Sequence, residues 1–154
     1  MISEEKSRVF LAAQDAVYDQ VRAELSAGRK QSHWMWFIFP QLAGLGFSEM
    51  ARKFALASLD EARGYLAHPI LGQRLRECMG LILAGSERRI EKILGHPDDL
   101  KFRSCLTLFA QAAPDEPLFQ TAIDAFYEGR QDPVTLDVLE RGGIDPTQKS
   151  PGSL

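Results

Sequence analysis

The chain has 154 residues, of which 45% are hydrophobic and 25% are charged, the composition of one soluble globular domain. Its formal net charge of −3 argues against nucleic-acid binding, which calls for a broad basic face. No apolar run approaches the roughly 20 residues of a membrane span, and the first residues lack the layout of a secretory signal, so we expect no membrane contact.

The first predicted helix begins near Ser3, because Glu4 and Glu5 suit the positive end of a helix dipole. Apolar residues then recur at spacings of three and four, which is the pattern of one helix face. They are Phe10, Ala13, Val17, Val21 and Leu25. Gly28 follows the last of them and suits a helix C-terminus. The pattern predicts a single helix of about six turns.

Both tryptophans lie in one apolar run at positions 34–39, WMWFIF. A run this short suits a buried strand or a short buried helix, and periodicity does not separate the two. We expect a short helical turn, because a lone strand would have no partner in a chain that is otherwise helical. The turn should end at Phe39, since a proline at position 40 disfavours the helical conformation in the residue before it.

The rest of the chain is divided by helix start and stop signals. Serine or aspartate N-caps, or a proline in the first turn, mark the predicted starts. These starts are Ser48, Ser58, Pro69, Ser86, Pro97, Asp115 and Asp132-Pro133. Glycines mark several predicted ends, at Gly85, Gly95, Gly129 and Gly142-Gly143. His68 and His96 each precede a proline, and we expect both to mark helix boundaries.

These patterns predict an all-α fold, a single compact domain of about seven short-to-medium helices with an aromatic-centred core. Residues 1–143 would form the domain, and residues 144–154, which show no periodic pattern, would form a flexible tail. Cys78 and Cys105 fall in apolar helical patterns and match no zinc-binding spacing. We therefore expect reduced core thiols in a cytoplasmic protein, with no metal site and no cofactor.

Polar residues beside the aromatic run form the first candidate site. Arg29 and Lys30 precede the run and could hold an anion. Gly44 and Gly46 would let the backbone approach a ligand closely, and Ser48 opens a helix whose N-terminus favours a phosphate. The glycine pair is not a dinucleotide fingerprint, and plain turn chemistry is its simpler explanation.

His33 and the tryptophans each have two interpretations. His33 would be a catalytic residue if it acts as a general acid or base beside an aromatic wall, and a structural one if it donates to a backbone carbonyl. Trp34 and Trp36, with Gln41 nearby, would either stack on a flat ligand or form the core. Because both faces of a short helix cannot point inward, at least one large side chain should border a groove or an interface.

The second candidate site lies on the helix predicted after Pro97. Ser104 and Thr107 follow Lys101 at helical spacing, and hydroxyl residues beside a lysine suit the polar wall of a ligand pocket. The alternative is that Asp98 caps the helix while Ser104 bonds back to a carbonyl of the preceding turn. The two candidate sites form one pocket only if the fold brings them together.

The chain resembles a bacterial family of uncharacterised proteins, the domain of unknown function 1810 family. The resemblance rests on residues 28–42, GRKQSHWMWFIFPQL, and extends to FLAAQ at 10–14, GLGFS at 44–48, YLAHP at 65–69 and KFRSCLTLF at 101–109. It implies a small all-helical fold and a cytoplasmic setting, and it brings no established reaction. The label calpastatin-like, sometimes given to such proteins, implies a disordered inhibitor, which the helical pattern throughout this chain argues against.

The residues favour a pocket for a small phosphorylated or nucleotide-like ligand. The basic pair would hold the anion, a tryptophan would stack on the flat part, and His33 would handle protons. Lys101, Ser104 and Thr107 would complete the wall. Whether any reaction is catalysed stays open. The alternative is a helical module without catalysis, whose exposed aromatic residues bind a protein partner or a second copy of the chain as a homodimer.

Overall fold

The computed structural model describes residues 1–141, which form ten helices and no strand. The helices are α1 (Glu4–Asp15), α2 (Tyr18–Ser26), α3 (Met35–Ile38), α4 (Glu49–Lys53), α5 (Leu59–Ala67), α6 (Leu71–Ala84), α7 (Ile90–Leu94), α8 (Asp98–Ala112), α9 (Leu118–Tyr127) and α10 (Pro133–Glu140). The predicted all-α fold is therefore confirmed. The predicted tail and the predicted stop at Gly142-Gly143 lie outside the described residues.

The first predicted helix is two helices, so the prediction of one helix of six turns is wrong. The chain leaves helical geometry at Val17, whose φ of −134° and ψ of 1° separate α1 from α2. The apolar spacing continues across the break, because Phe10 and Val21 are both fully buried. Gln14 explains the break, since its buried amide donates to the Phe37 carbonyl at 2.8 Å and fixes the end of α1 against α3.

Three predicted N-caps are confirmed. The side-chain oxygens of Ser48, Ser58 and Asp132 each accept a hydrogen bond from the backbone N–H three residues further on, at 3.1, 3.1 and 3.0 Å. His68 also marks a boundary as predicted, because its Nδ1 accepts from the N–H groups of Ile70 and Leu71 at the start of α6.

Two predicted N-caps are wrong. The helix after Ser86 begins only at Ile90, because the Glu87 carboxylate accepts from the next two backbone N–H groups and holds that segment as a turn. The helix after Asp115 begins at Leu118, with Pro117 as its N-cap and with no side chain capping it; the φ of Pro117, −72°, is already close to the helical value.

The core is aromatic, as predicted, and α8 passes through its middle. Helix α8 contacts α5, α7, α9 and α10. A chain of ring contacts runs from Trp34 through Phe39 to Phe102 on α8, with centroid separations of 6.0 and 4.8 Å. Cys78 and Cys105 are buried and free, and burial raises the pKa of the Cys78 thiol to about 12 and that of Cys105 well above its ordinary value. Both are thus inert core thiols.

Candidate functional site

The loop that carries the basic pair is organised by a buried carboxylate, Glu24 of α2. Glu24 Oε1 accepts from the N–H groups of Gln31 and Ser32 at 2.7 and 3.0 Å and from Trp34 Nε1 at 3.0 Å. Glu24 Oε2 accepts from the Ser32 hydroxyl at 2.6 Å. Burial alone would raise the pKa of Glu24, but these hydrogen bonds outweigh it and lower the pKa to about 2. Glu24 therefore stays charged and fixes residues 31–34.

Lys30 connects this loop to α8 and so brings the two predicted stretches together. Its backbone N–H donates to the Ile93 carbonyl at 2.7 Å. Its ammonium lies 3.0 Å from Asp98 Oδ2 and 5.2 Å from the centre of the Trp34 ring. The Lys30 side chain is only 8% exposed, so water screens this ion pair weakly.

Lys101 is the second lysine beside the same carboxylate, and it is held more loosely. Its Nζ lies 3.7 Å from Asp98 Oδ1 and 5.6 Å from the centre of the Trp36 ring. Its side chain is 34% exposed. Asp98 thus has one close partner in Lys30 and one loose partner in Lys101, whose charge is open to a ligand.

A cleft of about 280 Å³ opens beside Lys101, between the loop after α3 and the first turns of α8 and α10. We call it the Lys101 cleft. Its lining consists of Gln41, Leu45, Pro97, Leu100, Lys101, Arg103, Ser104, Asp132 and Val134. A much tighter hollow next to it shares Gln41 and Lys101 and is closed by Trp36. The predicted residues Trp36, Gln41, Lys101 and Ser104 therefore gather in one place.

Arg103 and Asp132 also line the Lys101 cleft, and sequence analysis predicted only a capping role for Asp132. The Arg103 guanidinium donates to the carbonyls of Arg130 and Gln131 at 2.8 and 3.0 Å, which holds the loop before α10. Asp132 Oδ2 accepts from the hydroxyl of Ser104 and the N–H of Thr135, each at 3.0 Å. The hydroxyl of Ser104 also lies 3.3 Å from the Leu100 carbonyl, as the alternative interpretation proposed.

Three other predicted residues serve the fold at the positions the structure gives them. Trp34 is 1% exposed and packs in the core. Thr107 is fully buried, where its hydroxyl donates to the Arg103 carbonyl and accepts from the Asp132 N–H, both at 2.8 Å. Ser48 caps α4. Thr107 contributes to the Lys101 cleft indirectly, because its hydroxyl connects α8 to Asp132, the N-cap of α10.

Arg29, His33 and Gly44 lie outside the lining of the Lys101 cleft. Arg29 is exposed and borders a separate cleft of about 340 Å³ between the ends of α2 and α6. His33 is exposed. Gly44 has a φ of 95°, which favours glycine, and it precedes Leu45 of the cleft lining. The predicted role of His33 in proton transfer stays a prediction.

A wider groove of about 640 Å³ runs between α1 and α5. Its charged groups are already engaged. Asp60 pairs with the amino group of Met1, and Arg63 Nε donates to the Ala112 carbonyl at 2.9 Å. We therefore place the candidate site at the smaller Lys101 cleft, whose lysine and carboxamide are open.

Residues 1–141 contain neither a membrane-spanning helix nor a metal-binding cluster. No helix there is both long and apolar enough to cross a membrane. No group of three or more His, Cys, Asp and Glu side chains in that range is arranged to hold a metal ion.

The comparisons with known proteins agree with the fold. The chain is 47% identical to the conserved hypothetical protein Rv1873 from Mycobacterium tuberculosis, whose crystal structure superimposes with a TM-score of 0.85 over 88% of this chain and 96% of that one. Among proteins with curated descriptions, none matches. The model of the family "Protein of unknown function (DUF1810)" matches residues 4–139. The chain therefore belongs to the DUF1810 family of proteins of unknown function.

Proposed function

We propose that this protein binds a small anionic molecule in the Lys101 cleft. The observation that carries the proposal is the loose pairing of Lys101. Its side chain is one-third exposed, its ammonium lies 3.7 Å from the nearest carboxylate oxygen, and it lines a cleft large enough for a small ligand. A lysine that is positioned but not neutralised by a close partner attracts anions.

Two polar groups stand beside Lys101 and would orient the ligand. The Gln41 carboxamide makes no side-chain hydrogen bond within the described part of the chain, so it offers both a donor and an acceptor. Ser104 Oγ directs its single proton to Asp132 and Leu100, and its lone pairs are left to accept from a ligand. The Lys101 cleft thus has one group that binds an anion, one that both donates and accepts hydrogen bonds, and one that accepts them.

The size of the Lys101 cleft favours a small ligand. Its volume of about 280 Å³ is just below the range of about 300–1,000 Å³ that is typical of sites for drug-sized molecules. Trp34 is buried, and the hollow beside Trp36 has a volume of only about 10 Å³, too small for a nucleobase to stack there. The proposal therefore keeps the anionic part of the predicted ligand and does not use a stacked base.

The proposal is tested by thermal unfolding and calorimetric titration of the full chain with inorganic phosphate and with 4-methylpentanoate. A ligand at 100 times its Kd should add about 2.7 kcal/mol of apparent stability. Lys101→Met should abolish the effect, because methionine keeps the length of the stem and removes the charge. Lys92→Met, which removes an exposed lysine on α7, should leave it unchanged. A folded Lys101→Met protein that binds as well as the parent refutes the proposal, as does a parent that binds neither anion.

The second candidate function, association through exposed apolar residues, has one observation in its favour. Phe47 is 75% exposed, and Leu100 and Val134, on the rim of the Lys101 cleft, are 53% and 57% exposed. Large apolar side chains in this state attract partners when they form a continuous patch. The oligomeric state of the protein separates this candidate from the first.

A further inference from the structure

Asp132 gives the Lys101 cleft a negative charge as well as a positive one. It lies at the N-terminus of α10, and its Oδ2 accepts from Ser104 and from Thr135. No Lys, Arg or His among residues 1–141 forms an ion pair with Asp132. A carboxylate in this state is neutralised by hydrogen bonds and a helix end only, so it remains able to attract a cation.

A purely anionic ligand would pair with the positive charge of this lining and not with its negative charge. It would gain the attraction of Lys101 and Arg103 and also meet the repulsion of Asp132, since all three side chains line the same cleft of about 280 Å³. Unit charges a few ångströms apart near a protein surface interact strongly enough for this repulsion to matter. A ligand with one charge of each sign would pair with both.

The lining also contains Gln41, Ser104 and Arg103, whose guanidinium is held by the carbonyls of Arg130 and Gln131. Its apolar residues come from three different elements. Leu45 comes from the loop after α3, Leu100 from the first turn of α8, and Val134 from the first turn of α10. Leu100 and Val134 are each more than half exposed, so a ligand that covered them would remove apolar surface from water. The cleft thus offers the loosely held cation of Lys101, the carbonyl-bound cation of Arg103, the anion of Asp132 and an apolar wall within the space of one small molecule.

We infer that the ligand of the Lys101 cleft is a small zwitterion with an apolar side chain, the chemistry of an α-amino acid such as leucine. Its carboxylate pairs with Lys101, its ammonium pairs with Asp132, and its side chain covers Leu100 and Val134. This inference rests on the proposed function and adds the ammonium site and the apolar site to it.

The test titrates the full chain with four compounds that share one framework. Leucine carries both charges, 4-methylpentanoate lacks the ammonium, 3-methylbutylamine lacks the carboxylate, and glycine lacks the side chain. We expect leucine to bind at least tenfold more tightly than each of the other three. Tenfold corresponds to about 1.4 kcal/mol in binding free energy.

The matched variant is Asp132→Asn, which removes the charge and keeps a good helix cap, because asparagine caps as well as aspartate. We expect it to weaken leucine binding to the level of 4-methylpentanoate and to leave 4-methylpentanoate binding unchanged or tighter. Asp137→Asn, which removes another carboxylate of α10, should change neither affinity. The compound series on the parent decides the question by itself if Asp132→Asn does not fold.

The outcomes separate the two levels of the proposal. If leucine binds no more tightly than 4-methylpentanoate, and both require Lys101, the zwitterion inference is wrong and the anion site stands. If Asp132→Asn binds leucine as the parent does, the ammonium site is likewise wrong. If neither compound binds in a way that Lys101→Met abolishes, the proposed function fails together with the inference.

Discussion

At the scale of single residues, Glu24 is the side chain that holds the loop before α3 in place. Glu24 follows Val21 by three positions and precedes Leu25, so it lies within the apolar face of its helix. A charged residue in that position signals a buried partner. Its partners, Gln31, Ser32 and Trp34, lie in a loop where no periodic pattern points back to α2.

We predict that Glu24→Gln destabilises the protein by about 1–3 kcal/mol, because it breaks charge-assisted hydrogen bonds to buried donors. The measurement is urea unfolding at neutral pH. Glu91→Gln, on the exposed side of α7, is the matched control and should change the free energy of unfolding by less than about 0.5 kcal/mol. A Glu24→Gln protein as stable as the parent would show that the carboxylate does not organise the loop.

The pH dependence of stability gives the same prediction a second readout. The pKa of Glu24 is lowered from its ordinary value of 4.5 to about 2 in the folded protein. A lowered pKa means that the charged form favours folding, so this contribution is present above about pH 4.5 and is lost as the pH falls toward 2. The parent should therefore lose more stability across this window than Glu24→Gln does.

At the scale of elements, the predictable part of the fold is the part that local chemistry decides. The caps at Ser48, Ser58 and Asp132 and the boundary at His68 depend on residues within three positions, and sequence analysis found them. The break at Val17 depends on contacts of α1 with α3, which come from more than 20 residues away. Sequence analysis also identified Trp36, Gln41, Lys101 and Ser104 as candidates, but only the fold shows that they line the Lys101 cleft and the hollow next to it.

The contact between α8 and the loop after α2 determines how closely Lys101 is held by Asp98. Because Lys30 stays close to Asp98 Oδ2, Lys101 can turn from Oδ1 to a ligand without leaving the carboxylate unpaired. We predict that Lys30→Met draws Lys101 onto Asp98 and weakens the binding of 4-methylpentanoate about fivefold, on the order of 1 kcal/mol.

The double variant Lys30→Met/Asp98→Asn distinguishes this positioning role from a general structural one. Without the carboxylate, Lys101 has no competing partner, so the double variant should recover the affinity of the parent. Calorimetric titration measures the affinity, and a thermal melt reports whether each variant is folded. A double variant that binds as weakly as Lys30→Met would show that Lys30 acts through packing alone.

At the scale of the whole molecule, the two candidate functions differ in what they require of the surface. A pocket works in a single chain, whereas a stable homodimer buries about 1,200–2,000 Å² in total. Among residues 1–141 the large apolar side chains classed as exposed are Met1, Phe47, Ile70, Leu100 and Val134. Two of these belong to the Lys101 cleft, Met1 lines the groove between α1 and α5, and Ile70 lies apart at the start of α6. Phe47 is thus the principal apolar side chain left for an interface.

We predict that the full chain is a monomer of 17.2 kDa by light scattering at micromolar to submillimolar concentration, and that Phe47→Ser changes neither the mass nor the affinity for leucine. The physical reason is that one exposed phenylalanine buries at most about 150–250 Å², far less than a dimer interface needs. A mass that doubles with concentration in the parent and stays single in Phe47→Ser would favour self-association. In that case the exposed Leu100 and Val134 would extend the interface, and the cleft they border would close on dimer formation. Leucine would then compete with self-association, so adding it at saturation would restore the monomer, a result that the pocket alone does not produce.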